Sequence, residues 1–177
     1  MKDTGFAIWL TGLPASGKTT LAQGLARDLG QRGLTVQILD SDDLRDILTP
    51  EPTYTREERD WFYQVVVFIA RLLTQNGVSV LIAATANQRR YRDRARQAIS
   101  RFAEVYVRCP LETCMERDDK GIYHEARTGE ATTVPGLQVP YEPPTDPATV
   151  VDTEEMSPQR GVQHILEALE RLSLLSG

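Results

Sequence analysis

The sequence predicts an α/β fold in which a parallel sheet is covered by helices on both faces. Short apolar runs alternate along the chain with segments of helical periodicity, and the run Val78–Ala84 is too uniformly apolar for a strand with one wet face. A glycine-containing turn also joins the first apolar run to the first helical segment, the junction at which an open parallel sheet builds its ligand crevice. The 177 residues fit one domain, 1–177, long enough to bury a core, and a hydrophobic fraction of 41% with 25% charged residues is ordinary for a globular chain.

Phe6–Leu10 reads as the first buried strand, and a helix follows from Lys18 to Leu29. Leu21, Leu25 and Leu29 share one face of that helix, and Gly30 and Gly33 bracket its exit. Thr35–Leu39 is the next strand and leads into Asp40-Ser41-Asp42-Asp43, where Ser41 or Asp42 can cap a short helix marked by Leu44, Ile47 and Leu48. Thr55-Arg56-Glu57-Glu58 has the spacing of a capping box. Behind it, Trp61, Val65, Phe68 and Leu72 run beside Phe62, Val66, Ile69 and Leu73 as a wide apolar face of a long helix. After the Val78–Ala84 strand, Arg89–Ile99 is helical and basic, and Glu104–Val107 is another strand. From Asp118 to Pro147, glycine and proline interrupt any sustained period, as in a functional lid. Thr149–Val151 is the last strand, and Ser157-Pro158 starts a helix whose buried stripe is Val162, Ile165, Leu166, Leu169 and Leu172.

A net charge of −5 argues against nucleic acid or an anionic membrane as partner, so an anionic ligand must be held by local basic groups. No apolar run approaches the roughly 20 residues of a membrane helix, and Met1 to Gly5 lack the apolar stretch of a signal peptide. Cys109 and Cys114 are too few for a disulfide framework or an all-cysteine metal site. A cytoplasmic location is expected. His124 and His164 have no ligand-like neighbours in sequence and read as surface or structural residues.

The chemistry is concentrated in Gly12-Leu13-Pro14-Ala15-Ser16-Gly17-Lys18-Thr19, which meets G-x-x-x-x-G-K-[ST] in full, with Thr20 following. Small residues let backbone N–H groups curl around phosphate oxygens, and the helix behind directs its positive end at them. Lys18 reaches the β- and γ-phosphates of ATP, and Thr19 offers a hydroxyl to Mg²⁺. Asp40 and Asp42, at the carboxyl end of the second strand, can bind Mg²⁺ or orient and deprotonate an attacking hydroxyl. Asp42 is the main catalytic candidate with Lys18, and Thr19, Asp40 and Asp42 are the metal candidates. Of the arginines packed into residues 89–96, most should line a solvated face, while Arg89, nearest the preceding strand, is placed to clamp an anionic acceptor. Arg117 and Lys120 flank Asp118-Asp119 in the lid and can close over nucleotide phosphates.

These segments resemble the adenylylsulfate (APS) kinase family. Leu39-Asp40-Ser41-Asp42-Asp43-Leu44-Arg45 is similar to that family's LDGDNVR, Thr55 to Arg59 to SxxDR, and Arg89 to Arg96 to YR-x-DR-x-x-AR. Further on, Cys109 to Cys114 resembles TPLEVC, Arg117 to Tyr123 resembles RDPKGLY with Ala126 to Glu130 after it, and Val139 to Pro144 resembles SPYEAP. The resemblance covers nearly the whole chain. It implies a P-loop NTPase fold of the nucleoside-kinase type, a three-layer sandwich around a five-stranded parallel sheet, often dimeric. It implies Mg-ATP as phosphoryl donor, the 3′-hydroxyl of adenosine 5′-phosphosulfate as acceptor, and Asp42 as the catalytic carboxylate. Arg117 belongs to the expected nucleotide set, and Asp43, Arg45, Tyr54, Arg59, Arg89, Lys120 and Val134 to the expected acceptor set.

Departures fall on the acceptor side. The family's asparagine after the catalytic aspartate is Asp43 here, its phenylalanine before SxxDR is Tyr54, the first arginine of ENIRR is Gln64, and the second aromatic of its adenine clamp is Val134. Ala86 stands where family members carry a serine that can become phosphorylated. The lost charge and the lost ring are each worth about 1–2 kcal/mol of recognition, and Asp43 repels an anion. Two other readings therefore stand beside the APS one: the same transfer to another small nucleotide-like, hydroxyl or amidate compound, and a nucleotide-binding regulator without catalysis. No NKxD-type guanine-reading segment is present, and the acidic balance disfavours a polynucleotide acceptor.

Overall fold

The apolar runs become the strands of a single sheet. In the computed structural model, which describes residues 5–175, β1 (Ala7–Thr11), β2 (Val36–Asp40), β3 (Ser79–Ala83), β4 (Phe102–Arg108) and β5 (Thr149–Asp152) lie in the order β2-β3-β1-β4-β5, and every pairing is parallel. The reading of the chain start rests on residues 1–4, which lie outside the described residues.

Alternation along the strands divides the core in two, because successive side chains point to opposite faces. Ile8 and Leu10 of β1 join Leu81, Val105 and Val107 in a cluster closed by α1 (Lys18–Gln31) and α7 (Pro158–Arg171). Ala7 and Trp9 join Val80 and Ile82 in the opposite cluster, closed by α3 (Arg56–Gln75) and α4 (Arg89–Ala98). This is the three-layer arrangement expected from the pattern. A third, smaller cluster around Cys109, Cys114, Tyr123 and Val134 lies under the lid. Both cysteines are free and buried, and burial pushes the Cys114 thiol up to about 12, which leaves it inert at neutral pH.

Several expectations change. Helix α2 (Ser41–Leu48) is capped by Asp40, whose carboxylate accepts from the Asp42 N–H at 2.9 Å, rather than by Ser41 or Asp42. Thr55 caps α3 by accepting from the Glu58 N–H, but Glu58 accepts from Thr53 and Tyr54 rather than from the cap residue's own N–H, so half of the capping box is replaced. The apolar face of α3 also splits. Phe62, Val66, Ile69 and Leu73 pack on the sheet, whereas Trp61, Phe68 and Leu72 are 47%, 64% and 51% exposed. At about 100° per residue the two stripes cannot both face the sheet. Leu172 is exposed beyond the end of α7, and Gly30 lies inside α1. The segment read as an irregular lid contains a further helix, α6 (Ile122–Thr128), after α5 (Leu111–Glu116); glycines bracket α6 at both ends.

The basic helix α4 holds the largest surprise. Arg92 is 1% exposed. Its Nε lies 2.9 Å from Glu104 Oε1 on β4, and Glu104 Oε2 accepts from Arg96 at 2.7 Å. The other Arg92 nitrogens donate to Thr11 Oγ1 at the end of β1, to the Ala86 carbonyl after β3, and to the Glu142 carbonyl. Removing one partner of such a pair leaves a buried charge uncompensated. Glu104→Ala is therefore expected to lose about 3–5 kcal/mol of stability, read as a lower urea midpoint; an unchanged midpoint would show that water reaches Arg92.

Candidate active site

The carboxyl ends of the strands open on one side of the sheet, and the loops beyond them enclose a cavity of about 790 Å³. Its floor is the turn from β1 into α1. A Cβ on Gly12 would sit 2.3 Å from the Val107 carbonyl oxygen and 2.7 Å from Ser16 Oγ, so only glycine lets the chain leave β1 this close to β4. Gly17 takes φ 102 at the N-cap of α1 and carries no capping side chain, which leaves the first N–H groups of the helix open to an anion. Pro14, Ala15, Gly17, Lys18, Thr19 and Thr20 line the cavity. Gly12, Leu13 and Ser16 of the same motif form its underside: Gly12 and Ser16 are buried, and Leu13 packs against Gly136. The Lys18 ammonium donates to the Gly12 and Leu13 carbonyls at 3.1 and 2.7 Å. Desolvation lowers its pKa from 10.5 to about 8, against the opposing pull of Asp42 and, more weakly, Asp40.

Opposite the loop stands the acidic end of β2. Thr19 Oγ1 donates to Asp40 Oδ2 at 2.6 Å, which joins two of the three candidate metal ligands. Asp42 lines the cavity and is paired with Lys120 from the lid. That hydrogen bond, with the fields of Asp40 and Asp43 added, holds the Lys120 ammonium above its ordinary range. Asp43 is exposed and is not among the lining residues, so it acts on the cavity only through its field.

The far wall is cationic and aromatic. Arg45, 7% exposed on α2, pairs with Glu58 at 3.1 Å and lies between the rings of Tyr54 and Phe62, at 4.7 and 4.0 Å from their centroids. Arg59 donates to the Tyr54 carbonyl at 3.0 Å, to Asn87 Oδ1 at 3.3 Å and to the Thr133 carbonyl at 2.9 Å, crossing from α3 to the lid beside Val134. Arg89 stands apart: its backbone N–H and guanidinium both meet Glu142, it is not among the lining residues, and it clamps nothing in the cavity. Gln64 is likewise exposed and off the wall, because the buried face of α3 runs through Arg59, Phe62, Tyr63 and Val66. The charge difference at position 64 therefore does not reach the cavity.

The lid is tied to the phosphate loop at two points that sequence reasoning missed. Tyr123 on α6 donates to the Pro14 carbonyl at 3.0 Å, and Asp118 accepts from the Ile122 and Tyr123 N–H groups at the start of that helix. Arg117 donates to the Thr153 carbonyl at 2.9 Å, and Thr153 Oγ1 donates to the Ser16 carbonyl at 2.8 Å. Tyr63, Thr85 and Thr133 also line the cavity. Nothing in the local pattern marks Thr153 or Thr133, since both act through contacts distant in sequence. Tyr63 could have been singled out as the polar-tipped ring one turn beyond Arg59.

The family model for adenylylsulphate kinase matches residues 4–152. The adenylyl-sulfate kinase of Rippkaea orientalis is 41% identical over 176 residues, covering 99% of this chain and 97% of that one. The adenylyl-sulfate kinase of Halothermothrix orenii is 40% identical over 166 residues, 94% of this chain and 90% of that one. Among solved structures, the APS kinase of Mycobacterium tuberculosis in complex with AMPPNP and APS superposes with a TM-score of 0.89 at 32% identity, covering 94% of this chain and 98% of that one. With that family model matching most of its length and these relatives and this fold in common, the chain belongs to the adenylylsulphate kinase family.

Proposed function

We propose that the chain is a single P-loop kinase domain that transfers the γ-phosphate of ATP to the 3′-hydroxyl of adenosine 5′-phosphosulfate. The observation that carries this reading is one cavity lined on one side by Lys18 and Thr19 and on the other by Asp42, Arg45, Tyr54 and Arg59. The cradle residues Pro14 to Thr20 bind the ATP phosphates, with Gly12, Leu13 and Ser16 shaping the loop beneath. Lys18 holds the β- and γ-oxygens as charge shifts between them. Asp42 exchanges its contact with Lys120 for the acceptor hydroxyl, orients it in line with the γ-phosphorus and accepts its proton as the new P–O bond forms and ADP leaves. Lys120 is then free to meet phosphate charge as the lid closes and excludes water. Arg45, Arg59 and Tyr54 hold the acceptor nucleotide, with Val134 as an apolar wall.

Thr19 Oγ1 and Asp40 Oδ2, 2.6 Å apart, form an all-oxygen pair suited to Mg²⁺, which takes few protein ligands and completes its shell with water and phosphate. When bound there, the ion neutralises charge on the β- and γ-phosphates.

No helix among the described residues is long and apolar enough to cross a membrane. The exposed Trp61, Phe68 and Leu72 on α3, with half-buried Val65 among them, support a homodimer, since an exposed apolar patch of this kind marks an association surface. Phe68→Asp is expected to convert the dimer to monomer in light scattering coupled to size exclusion; a monomeric unsubstituted protein would remove the dimer.

Incubation with Mg-ATP and APS, followed by mass spectrometry, is expected to give a saturable 3′-phosphorylated product at micromolar APS. No product from APS or from a panel of other acceptors, with ATP still bound, would favour a regulator instead. Lys18→Ala and Asp42→Ala should each lower kcat by about 10²–10⁴-fold with the fold retained; full turnover in Asp42→Ala would remove that residue from the mechanism.

The low pKa of Lys18 has a definite sign. In the unliganded protein the ammonium is lost as pH rises through about 8, so ATP affinity should fall above that pH, and binding there should take up a proton. The unfolded chain keeps that proton to about 10.5, so this group adds stability as pH rises between about 8 and 10.5. Titration calorimetry in two buffers of different ionisation heat measures the uptake; none at pH 9 would contradict the assignment.

A further inference from the structure

We propose that Tyr63 is a positioning residue for the acceptor, whose hydroxyl holds the turn after β3 that in turn orients Arg59. The inference rests on the kinase reading above and adds to it the part of this chain that sets acceptor geometry.

Ala86 lies in that turn, wholly buried, with φ 41, a left-handed conformation that a residue with a Cβ seldom adopts. Both of its backbone polar groups are held by side chains from the covering helices. Its N–H donates to Tyr63 Oη at 3.0 Å, and its carbonyl accepts from Arg92 at 3.3 Å. The residues on either side connect the turn to the site. Thr85 lines the cavity, and Asn87 accepts from Arg59 at 3.3 Å while donating to the Pro140 carbonyl at 3.1 Å.

Tyr63 follows Arg59 by one turn of α3, so one helix face carries both the acceptor-side guanidinium and the hydroxyl that fixes its partner. The Tyr63 ring cannot swing away: it stacks on Tyr91 at 4.6 Å and meets Phe62 edge-on at 5.2 Å. A strained turn persists only where its surroundings over-determine it. Here two hydrogen bonds and a locked ring do so, and the turn meets the acceptor side directly through Asn87 and Arg59, whereas it meets the phosphate loop only by way of Thr11.

The test is Tyr63→Phe, which keeps the ring and its stacking and removes only the tether. With each substrate varied in turn, the KM for APS is expected to rise roughly tenfold while the KM for ATP stays within about twofold. Adding Ala86→Gly should recover part of the loss, because glycine adopts the left-handed region without the Cβ clash. In the unsubstituted protein, the Ala86 amide should exchange slowly with solvent by NMR. An unchanged KM for APS, equal changes for both substrates, or fast Ala86 exchange would each overturn the inference. If the unsubstituted protein fails to phosphorylate APS, the kinase reading falls, and the Ala86 exchange rate still decides whether the tether exists.

Discussion

Arg92 carries a guanidinium with five N–H donors and no access to water, and the partners it finds define the crevice. It reaches Glu104 on β4, Thr11 at the end of β1, Ala86 after β3 and the carbonyl of Glu142 on the chain returning from the lid. Thr11 passes the connection on, donating to the Thr85 carbonyl at 2.7 Å and sharing a hydrogen bond with Tyr141. Desolvation of that charge is expensive unless every contact is made. The ends of β1 and β3, the body of β4 and the base of the lid are therefore constrained together, and the phosphate loop begins one residue beyond Thr11.

Charge within the cavity is arranged in layers of opposite sign. The cationic loop with Lys18 faces the acidic end of β2, and beyond that acidic pair Lys120, Arg45 and Arg59 are cationic again. Positive charge thus lies on both sides of the acidic end of β2. The overall charge of −5 does not oppose this, because close, partly desolvated groups dominate the local field over distant screened ones. Asp42 and Lys120 also join the acidic end of β2 to the lid, which supplies the aspartate's only salt-bridge partner among the described residues.

The far wall of the cavity shows why substitutions read against a family pattern need a structure before they mean anything. Gln64 and Asp43 looked like changes in the binding site, yet neither lines the cavity. Val134 does line it, and so do Tyr63 and Thr133, which no pattern singled out. A helix turns by about 100° per residue, so a shift of one position along α3 moves a side chain from the cavity wall to solvent. The exposed stripe of Trp61, Phe68 and Leu72 follows from the same geometry. Periodicity detects an apolar face but does not say which half of a wide one meets the sheet.

By itself the sequence determined the strand-and-helix alternation, the parallel sheet, the phosphate loop and the Asp40–Asp42 cluster, because each depends on local spacing: five apolar runs, a glycine-bounded motif, and acids at a strand end. Tertiary structure alone decided that Arg92 is a buried strut while Arg89 pairs with Glu142, that Lys120 meets Asp42, and that Thr153 braces the loop through Ser16. Those contacts join residues 50 to 137 positions apart. Periodicity reports which face a side chain occupies, and only the packing of one element on another decides what that face meets.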